Sequence, residues 1–219
     1  MLTPVLSHRW DVSPGEAAQI QRDLAARLLH SDTLDEVRLV AGVDVGLWQG
    51  RARAAVTVHA LPALDQVEAV VCEGEVTFPY VPGLLSFREG PVVLAALAQL
   101  HTIPDVLIFD GQGYAHPRRM GLASHIGVLL DWPSIGCAKS RLVGQHDEPA
   151  DARGSAAALW DGEEQIGLVL RTRQAVRPVY VSVGHRVGLG HAAEIVLACG
   201  AGYRLPEPTR WAHRLASQR

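Results

Sequence analysis

Two aspartates occupy positions where an apolar strand ordinarily carries a hydrophobic side chain. Asp44 interrupts the apolar run 39–47, and Asp110 closes the apolar run 105–110. Burying an unpaired carboxylate costs several kcal/mol or forces its protonation, and coordination of a cation removes that cost. If the two strands are neighbours, both carboxylates meet at one edge of the sheet and offer the hard oxygen ligands that suit Mg²⁺. The alternative for Asp44 is a carboxylate that backbone amides satisfy at a strand end.

Two further residues are candidates for the same site. Glu89 lies near the start of a helix predicted over residues 86–100, and His213 lies on a helix predicted over residues 207–217. Glu89 is a third candidate ligand, and the alternative is an acid that only compensates the dipole of its helix. His213 is a candidate to complete the site, and the alternative is an ordinary surface histidine.

One basic residue differs in type from all the others, which are arginines. Lys139 is the only lysine among 20 basic residues, and it lies in the apolar segment 134–139. Lysine and arginine are not interchangeable at a tight site, so a compact point charge is predicted there. His116, Arg118 and Arg119 follow directly after the glycine-containing segment 111–113, where their side chains are placed to meet phosphates.

The composition narrows the class of protein. The chain has 219 residues, of which 48% are hydrophobic and 20% charged, so we expect a single domain over residues 1–219 and no extensive disorder. No apolar run reaches the roughly 18 residues of a membrane span, and no signal-peptide core is found. We therefore predict a cytoplasmic protein without membrane association. The three cysteines, at positions 72, 137 and 199, lack the spacing of a zinc cluster or a disulfide framework.

The charge distribution is uneven although the net charge is only −3. Residues 1–117 carry a net charge of −7 and residues 118–219 carry +4, which would suit a cleft with a metal-binding wall and a phosphate-binding wall. Other catalytic classes are not indicated. The sequence has no GxSxG nucleophile elbow and neither of the common glycine-rich phosphate loops, GxxxxGK[ST] and GxGxxG.

The elements that must position these residues follow from the hydrophobic periodicity. A capping box at Ser13 to Glu16 starts a first helix, and alternation predicts three strands over residues 37–45, 52–60 and 66–77. The remaining predictions are helices over 86–100, 119–131, 190–200 and 207–217, strands over 105–110, 134–139, 165–172 and 178–183, and a long polar loop over 141–163. The order predicts an α/β fold, with an antiparallel three-strand start extended by parallel strands and helices on both faces.

Four motifs, in order and spacing, resemble the endonuclease V family over nearly the whole chain. They read Phe-Pro-Tyr-Val-Pro-Gly-Leu-Leu-Ser-Phe-Arg-Glu at 78–89, Phe-Asp-Gly-Gln-Gly-Tyr-Ala-His-Pro-Arg-Arg at 109–119, Gly-Cys-Ala-Lys-Ser-Arg-Leu at 136–142 and Pro-Glu-Pro-Thr-Arg-Trp-Ala-His at 206–213. The resemblance implies a ribonuclease H-like mixed sheet. It also implies Mg²⁺-dependent cleavage, with Mn²⁺ as a substitute, at the second phosphodiester bond 3′ to a deaminated adenine (hypoxanthine) in DNA, leaving 3′-hydroxyl and 5′-phosphate ends.

The resemblance also implies roles for individual residues. The catalytic carboxylates are Asp44, Glu89 and Asp110, with His213 as an auxiliary metal-site residue and Lys139 as a catalytic cation. The segment Pro79, Tyr80, Val81 and Pro82 is the wedge that separates the strands, and Tyr80 fills the gap left by an extruded base. The alternative is that Tyr80 packs into the core. Backbone near Gly83, Gly111 and Gly113 is the candidate surface for reading the base, because no side chain blocks close approach.

Two departures and two alternative functions remain open at this point. Gly46 stands where a small hydroxyl or methyl residue is more usual in the family, and Gly188 and Gly190 stand where a polar residue often opens the next helix. The segment Gly-Val-Asp-Val-Gly at 42–46 also resembles the first phosphate loop of actin-like ATPases and sugar kinases. The second alternative is a lesion-binding protein that does not cleave. Inosine-containing RNA, single strands and the oligomeric state stay open, and a monomer is expected.

Overall fold

The computed structural model describes residues 1–218 and contains eight strands and five helices within that range. The strands are, in chain order, β1 (Leu39–Trp48), β2 (Arg51–Ala60), β3 (Asp65–Glu75), β4 (Val106–Phe109), β5 (Ser134–Ala138), β6 (Ala156–Asp161), β7 (Glu164–Leu170) and β8 (Val179–His185). The helices are α1 (Pro14–Ala25), α2 (Leu85–Leu97), α3 (Leu122–Leu130), α4 (Leu189–Ala198) and α5 (Glu207–Ala216). None of these helices is long and apolar enough to cross a membrane.

All eight strands form one mixed sheet in the order β3-β2-β1-β4-β5-β8-β7-β6. Strands β1 to β3 pair antiparallel, whereas β1, β4 and β5 are parallel neighbours at the centre. Parallel strands require crossovers, and α2 and α3 provide them. This arrangement confirms the predicted ribonuclease H-like α/β fold with an antiparallel start.

Helices cover both faces of the sheet. On one face, α2 and α3 bury a core that includes Leu97, Phe109 and Ile126. On the other face, α4 covers β7 and β8 through residues such as Ile195, while α5 lies across β1 and β2. The central strands are therefore buried on both sides, which explains why β4 is an uninterrupted apolar run and why every residue of β5 is buried.

The far end of the sheet differs from the prediction in two respects. The segment 141–163 is not a continuous polar loop, because β6 occupies its last third and forms a hairpin with β7. Strands β8, β7 and β6 also join the sheet antiparallel instead of parallel. In the sequence, the hairpin is indicated by Asp161-Gly162, a dipeptide typical of tight hairpin turns. In the structure Gly162 has a φ of +64°.

Candidate active site

The two predicted aspartates lie side by side at the centre of the sheet. Val43 on β1 is paired with Phe109 on β4, and the amide of Asp110 donates a 3.0 Å hydrogen bond to the carbonyl of Val43. Because β1 and β4 are parallel and in this register, Asp44 and Asp110 follow the last paired residues on the same edge. Both carboxylates are mostly buried, with side-chain exposures of 12% and 9%.

Helix α5 brings His213 to this pair because two glycines allow it to approach β1 closely. A Cβ atom on Gly42 would lie 2.1 Å from the backbone of Pro208, and one on Gly46 would lie 2.2 Å from the carbonyl oxygen of Ala216. Gly46, noted above as a departure from the family pattern, is thus required by this packing. As a result His213 Nδ1 lies 2.7 Å from Asp44 Oδ2, and the histidine is not an isolated surface residue.

Glu89 approaches the same carboxylates from α2. It lies in the second turn of that helix and is only 7% exposed, so it is not a solvent-exposed acid of the first turn. Burial and the neighbouring Asp44 carboxylate raise the pKa of Glu89 to about 8, although Arg88 opposes the shift. Burial and the nearby Asp110 also raise the pKa of Asp44, against the hydrogen bond from His213.

Lys139 lies one residue beyond β5 and completes the cluster. Its ammonium group forms an ion pair with Oδ2 of Asp110, and the lysine side chain remains 37% exposed. The cation therefore contacts one carboxylate of the cluster while part of its surface stays accessible to a bound molecule.

The donor set fits a divalent cation. Asp44, Asp110 and His213 each offer a ligand atom, and these atoms lie within 4.8 Å of one another. Burial and, after it, the neighbouring carboxylates raise the pKa values of Asp44 and Glu89, and a bound cation would favour their charged forms. Oxygen-rich sets of this kind favour Mg²⁺ or Mn²⁺ over softer metals.

A cavity of about 370 Å³ opens directly beside the acidic cluster, and Asp110 and Lys139 form part of its wall. Its volume is in the range of small-molecule sites. Six of the predicted substrate-binding residues line it: Tyr80, Val81, Pro82, Gly83, Gly111 and His116. Three do not line it: Pro79, Gly113 and Arg118.

Tyr80 is an exposed residue of an irregular segment. Its side chain is 74% exposed, and the guanidinium of Arg88 lies 5.8 Å from the centre of its ring. The alternative that Tyr80 packs into the core is therefore wrong. The flanking prolines, Pro79 and Pro82, restrict the backbone on either side of an aromatic ring that is free to contact another molecule.

Gly83 is held by three side chains that converge on its carbonyl oxygen. Donors are Nε2 of Gln21 at 3.1 Å, Nε2 of His116 at 2.9 Å and Nη2 of Arg118 at 2.6 Å. Nδ1 of His116 accepts hydrogen bonds from the amides of Arg118 and Met120, which fixes the tautomer with its proton on Nε2. The group anchors the base of the Tyr80 loop against α1.

The side chains of the segment after the glycines already have partners within the protein. Burial and Arg118 lower the pKa of His116 to about 4, so the histidine is neutral at physiological pH. Arg118 is directed at Gly83, and Arg119 is paired with Asp161 and Glu164. These side chains organise the protein, and a contact between Arg118 and phosphate stays a prediction.

Gly113 and Gln21 differ from the sequence-based prediction in opposite ways: Gly113 lies outside the cavity, and Gln21 was not among the predicted residues. Gly113 is glycine because a Cβ atom would lie 2.2 Å from the carbonyl of Val183, and its amide already donates to Ser182 Oγ at 2.9 Å. It is therefore a packing residue and not part of the cavity. The sequence signal for Gln21 was a polar residue within the apolar stripe of α1. In the structure its side chain is buried, with 1% exposure.

The comparisons with known proteins agree with one another. The family model described as Endonuclease V matches residues 22–214. The chain is 53% identical over 217 residues to endonuclease V of Roseiflexus castenholzii, which covers 99% of this chain and 98% of that protein. The crystal structure of endonuclease V from Streptomyces avermitilis is 44% identical with a TM-score of 0.91, covering 98% of this chain and 96% of that one.

One less similar solved structure is a complex with a nucleic acid. It is endonuclease V from Ciona intestinalis, in complex with a 24mer DNA containing an inosine followed by a ribo-adenosine. That protein is 28% identical to this chain with a TM-score of 0.81, and the match covers 92% of this chain and 95% of the other.

Proposed function

This chain belongs to the endonuclease V family, and on that premise we propose that it is a Mg²⁺-dependent DNA-repair endonuclease specific for deoxyinosine. It hydrolyses the second phosphodiester bond 3′ to the hypoxanthine and leaves 3′-hydroxyl and 5′-phosphate ends. The observation that carries this proposal is the acidic cluster beside a cavity whose rim bears an exposed tyrosine. The inosine-containing DNA bound by the Ciona intestinalis relative supports the choice of substrate.

Asp44 and Asp110 are the residues that would hold the metal ion, with Glu89 and His213 as further candidate ligands. Mg²⁺, or Mn²⁺ in its place, would polarise the scissile phosphate and lower the pKa of a bound water. The burial of both aspartates supports this role, because hydrogen-bonded carboxylates in a low-dielectric site bind a cation more strongly than exposed ones.

Lys139 and His213 act on the charge and geometry of the site. Lys139 is positioned against Asp110, and its exposed part is available to stabilise negative charge on the phosphate or on the leaving oxygen. His213 donates from Nδ1 to Asp44, which orients that carboxylate and leaves Nε2 directed away from it.

Recognition of the damaged base requires its removal from the helix. Hypoxanthine has a carbonyl in place of the adenine amino group and a proton on N1, and this edge faces the partner base in a duplex. Tyr80 replaces the lost stacking at the vacated position. The cavity accepts the extruded base. The carbonyl of Gly83 is occupied by three side chains, so the neutral groups proposed to read the base are the amide of Gly83 and the backbone near Gly111.

The alternative of an actin-like ATPase is contradicted by the family match, which covers residues 22–214. We propose that the protein acts as a monomer and a single domain in the cytoplasm. The support for a monomer is that one chain carries the acidic cluster, the lysine and the cavity together. DNA is the proposed substrate, and inosine-containing RNA and single strands are the alternatives to be tested.

The deciding experiment is cleavage of end-labelled oligonucleotides with one inosine, in DNA and in RNA and as single strands and duplexes. Matched oligonucleotides with adenine at the same position are the controls. We expect one Mg²⁺-dependent cut, at the second phosphodiester 3′ to the inosine. Binding without cleavage would support the non-cleaving alternative, and equal cleavage of the adenine controls would contradict lesion specificity.

A further inference from the structure

The backbone at Lys139 lies where two strands separate. The last paired residues of β5 and β8 are Ala138 and Tyr180, so Lys139 falls outside the β-ladder. Continued in the same register, Val179 would lie opposite Lys139 and Pro178 opposite Ser140, where proline has no N–H group to extend the ladder. Beyond the ladder, the carbonyls of Lys139 and Pro178 accept hydrogen bonds from a side chain outside the two strands.

Arg204 supplies these donors from the segment between α4 and α5. Its Nη2 donates to the carbonyl of Lys139 and, at 2.8 Å, to the carbonyl of Pro178. Its own carbonyl accepts a 2.5 Å hydrogen bond from Thr172 Oγ1. One guanidinium nitrogen thus joins the two strands just beyond their last paired residues, and the backbone of Arg204 is itself held by Thr172.

A second side chain restrains the next residue from the other side. Gln112 Nε2 donates a 2.8 Å hydrogen bond to the carbonyl of Ser140. Consecutive carbonyls, at 139 and 140, are therefore held by side chains from two different loops. Gln112 also lines the cavity, whereas Arg204 is not among the cavity-lining residues. Arg204 can therefore be altered without removing a wall of the proposed substrate site.

The guanidinium of Arg204 is only partly hydrogen-bonded. Within residues 1–218 its Nε atom is buried and has no hydrogen-bond partner. An unpaired buried donor is destabilising, because it loses its contact with water without gaining a partner. What this arrangement secures is the direction of the Lys139 side chain, because rotation of the peptide after Lys139 would change how its four-carbon stem leaves the backbone.

We propose that Arg204 is a positioning residue for Lys139, holding the backbone after β5 so that the lysine ammonium stays against Asp110. The functional part of this proposal rests on the proposed role of Lys139 in cleavage. The structural part, that Arg204 holds Lys139 against Asp110, does not rest on that role, because the ion pair exists independently of any reaction.

The first test uses the fact that Lys139 is the only lysine in the chain. Acetylation by an N-hydroxysuccinimide ester, followed by peptide mass spectrometry, measures the reactivity of this one side chain. We expect Arg204→Met to acetylate several-fold faster than the unaltered protein, because the amine spends less time against the carboxylate. Asp110→Asn removes the carboxylate that pairs with the lysine, so its acetylation rate is the upper limit expected for Arg204→Met.

Arg171→Met is the matched control. Arg171 is another buried arginine that donates to backbone carbonyls, at Ala150, Pro149 and Val176, and none of these lines the cavity. We expect it to lower the melting temperature without changing the reactivity of Lys139. If Arg204→Met lowers the yield of folded protein, Arg204→Gln retains one amide donor and serves in its place. An unchanged acetylation rate in the folded Arg204 variant would overturn the proposal.

The second test is a double-mutant cycle on single-turnover cleavage of inosine-containing DNA. Arg204→Met should slow cleavage roughly ten- to a hundredfold in the unaltered background, with unchanged affinity for the DNA. In the Lys139→Ala background the same change should cost less than about twofold, because the residue it positions is absent. An equal loss in both backgrounds, or full activity of Lys139→Ala, would overturn the link to catalysis.

The two tests separate the proposals. If the unaltered protein fails to cleave inosine-containing DNA, the proposed function fails, and the acetylation rates still decide whether Arg204 holds Lys139. If cleavage occurs as proposed and acetylation of Lys139 is unaffected by the Arg204 variants, only the positioning role is refuted.

Discussion

His213 Nδ1 lies 2.7 Å from Asp44 Oδ2, although 169 positions separate the two residues in the sequence. The contact depends on α5 approaching β1 at two glycines, Gly42 and Gly46. It also depends on Thr57, whose hydroxyl donates a 2.8 Å hydrogen bond to the carbonyl of Pro208 at the start of the helix. The position of the histidine is therefore set by how the helix packs on the sheet.

The first prediction concerns Asp110. Asp110→Asn keeps the shape of the side chain but removes its charge, so cleavage should fall on the order of a hundred- to a thousandfold. Binding of inosine-containing DNA should persist in gel-shift measurements. Asp105→Asn is the control, because Asp105 precedes the same strand and accepts hydrogen bonds from the amides of Arg38 and Leu39. Near-normal cleavage by Asp110→Asn would contradict the assignment.

A second prediction tests the metal site without measuring activity. Mg²⁺ should raise the melting temperature of the unaltered protein in a concentration-dependent way, because a ligand that binds only the folded state stabilises it. Removal of divalent cations with EDTA should reverse the effect. Asp44→Asn should abolish most of the Mg²⁺-dependent shift, since it removes one of the two central carboxylates. An equal shift in this variant would place the ion elsewhere.

The third prediction distinguishes two roles for Lys139. Lys139→Arg keeps the charge, but the longer guanidinium cannot occupy the same point beside Asp110. If the lysine stabilises charge during the reaction, the rate should fall roughly ten- to a hundredfold. If it only contacts backbone phosphate, Lys139→Arg should be nearly fully active. Lys139→Ala should then show a salt-dependent loss of binding instead.

The fourth prediction concerns Tyr80. Because its side chain is 74% exposed, Tyr80→Ala should leave the melting temperature almost unchanged. Loss of stacking should weaken binding to inosine-containing duplexes by about 1–3 kcal/mol. Tyr203→Ala is the control, since Tyr203 is a 50% exposed tyrosine that does not line the cavity. A large fall in thermal stability with unchanged inosine selectivity would contradict the wedge role.

The fifth prediction concerns pH. The pKa of His116 is lowered to about 4 in the folded protein by burial and by Arg118, so the unfolded state binds more protons below pH 6.5. The stability that this residue contributes is complete above pH 6.5. It is lost as pH falls towards 4, by up to about 3 kcal/mol. His116→Gln should flatten the pH dependence of the unfolding free energy by about one proton in this range. An unchanged slope in urea titrations would show that His116 is not the group responsible.

The order of elements was predictable from the sequence alone because it follows from local periodicity. Alternating and continuous apolar runs predicted seven of the eight strands, and the helices were placed within a few residues of their observed bounds. Strand β6 was missed because its short run, Ala-Ala-Ala-Leu-Trp-Asp, is only partly buried and carries no strong alternation. The prolines at 79 and 82 are incompatible with regular structure around Tyr80, and that segment is irregular in the structure.

The sequence by itself determined which side chains could do chemistry. An aspartate inside an apolar strand and a single lysine among arginines are unusual wherever they fold, because burying charge costs free energy. Only the tertiary structure decided which of these residues meet. The register of β1 and β4 joins Asp44 to Asp110, and the glycine contacts of α5 add His213. Arg204 was not foreseen, since its partners are backbone carbonyls, which every residue carries and no sequence pattern distinguishes.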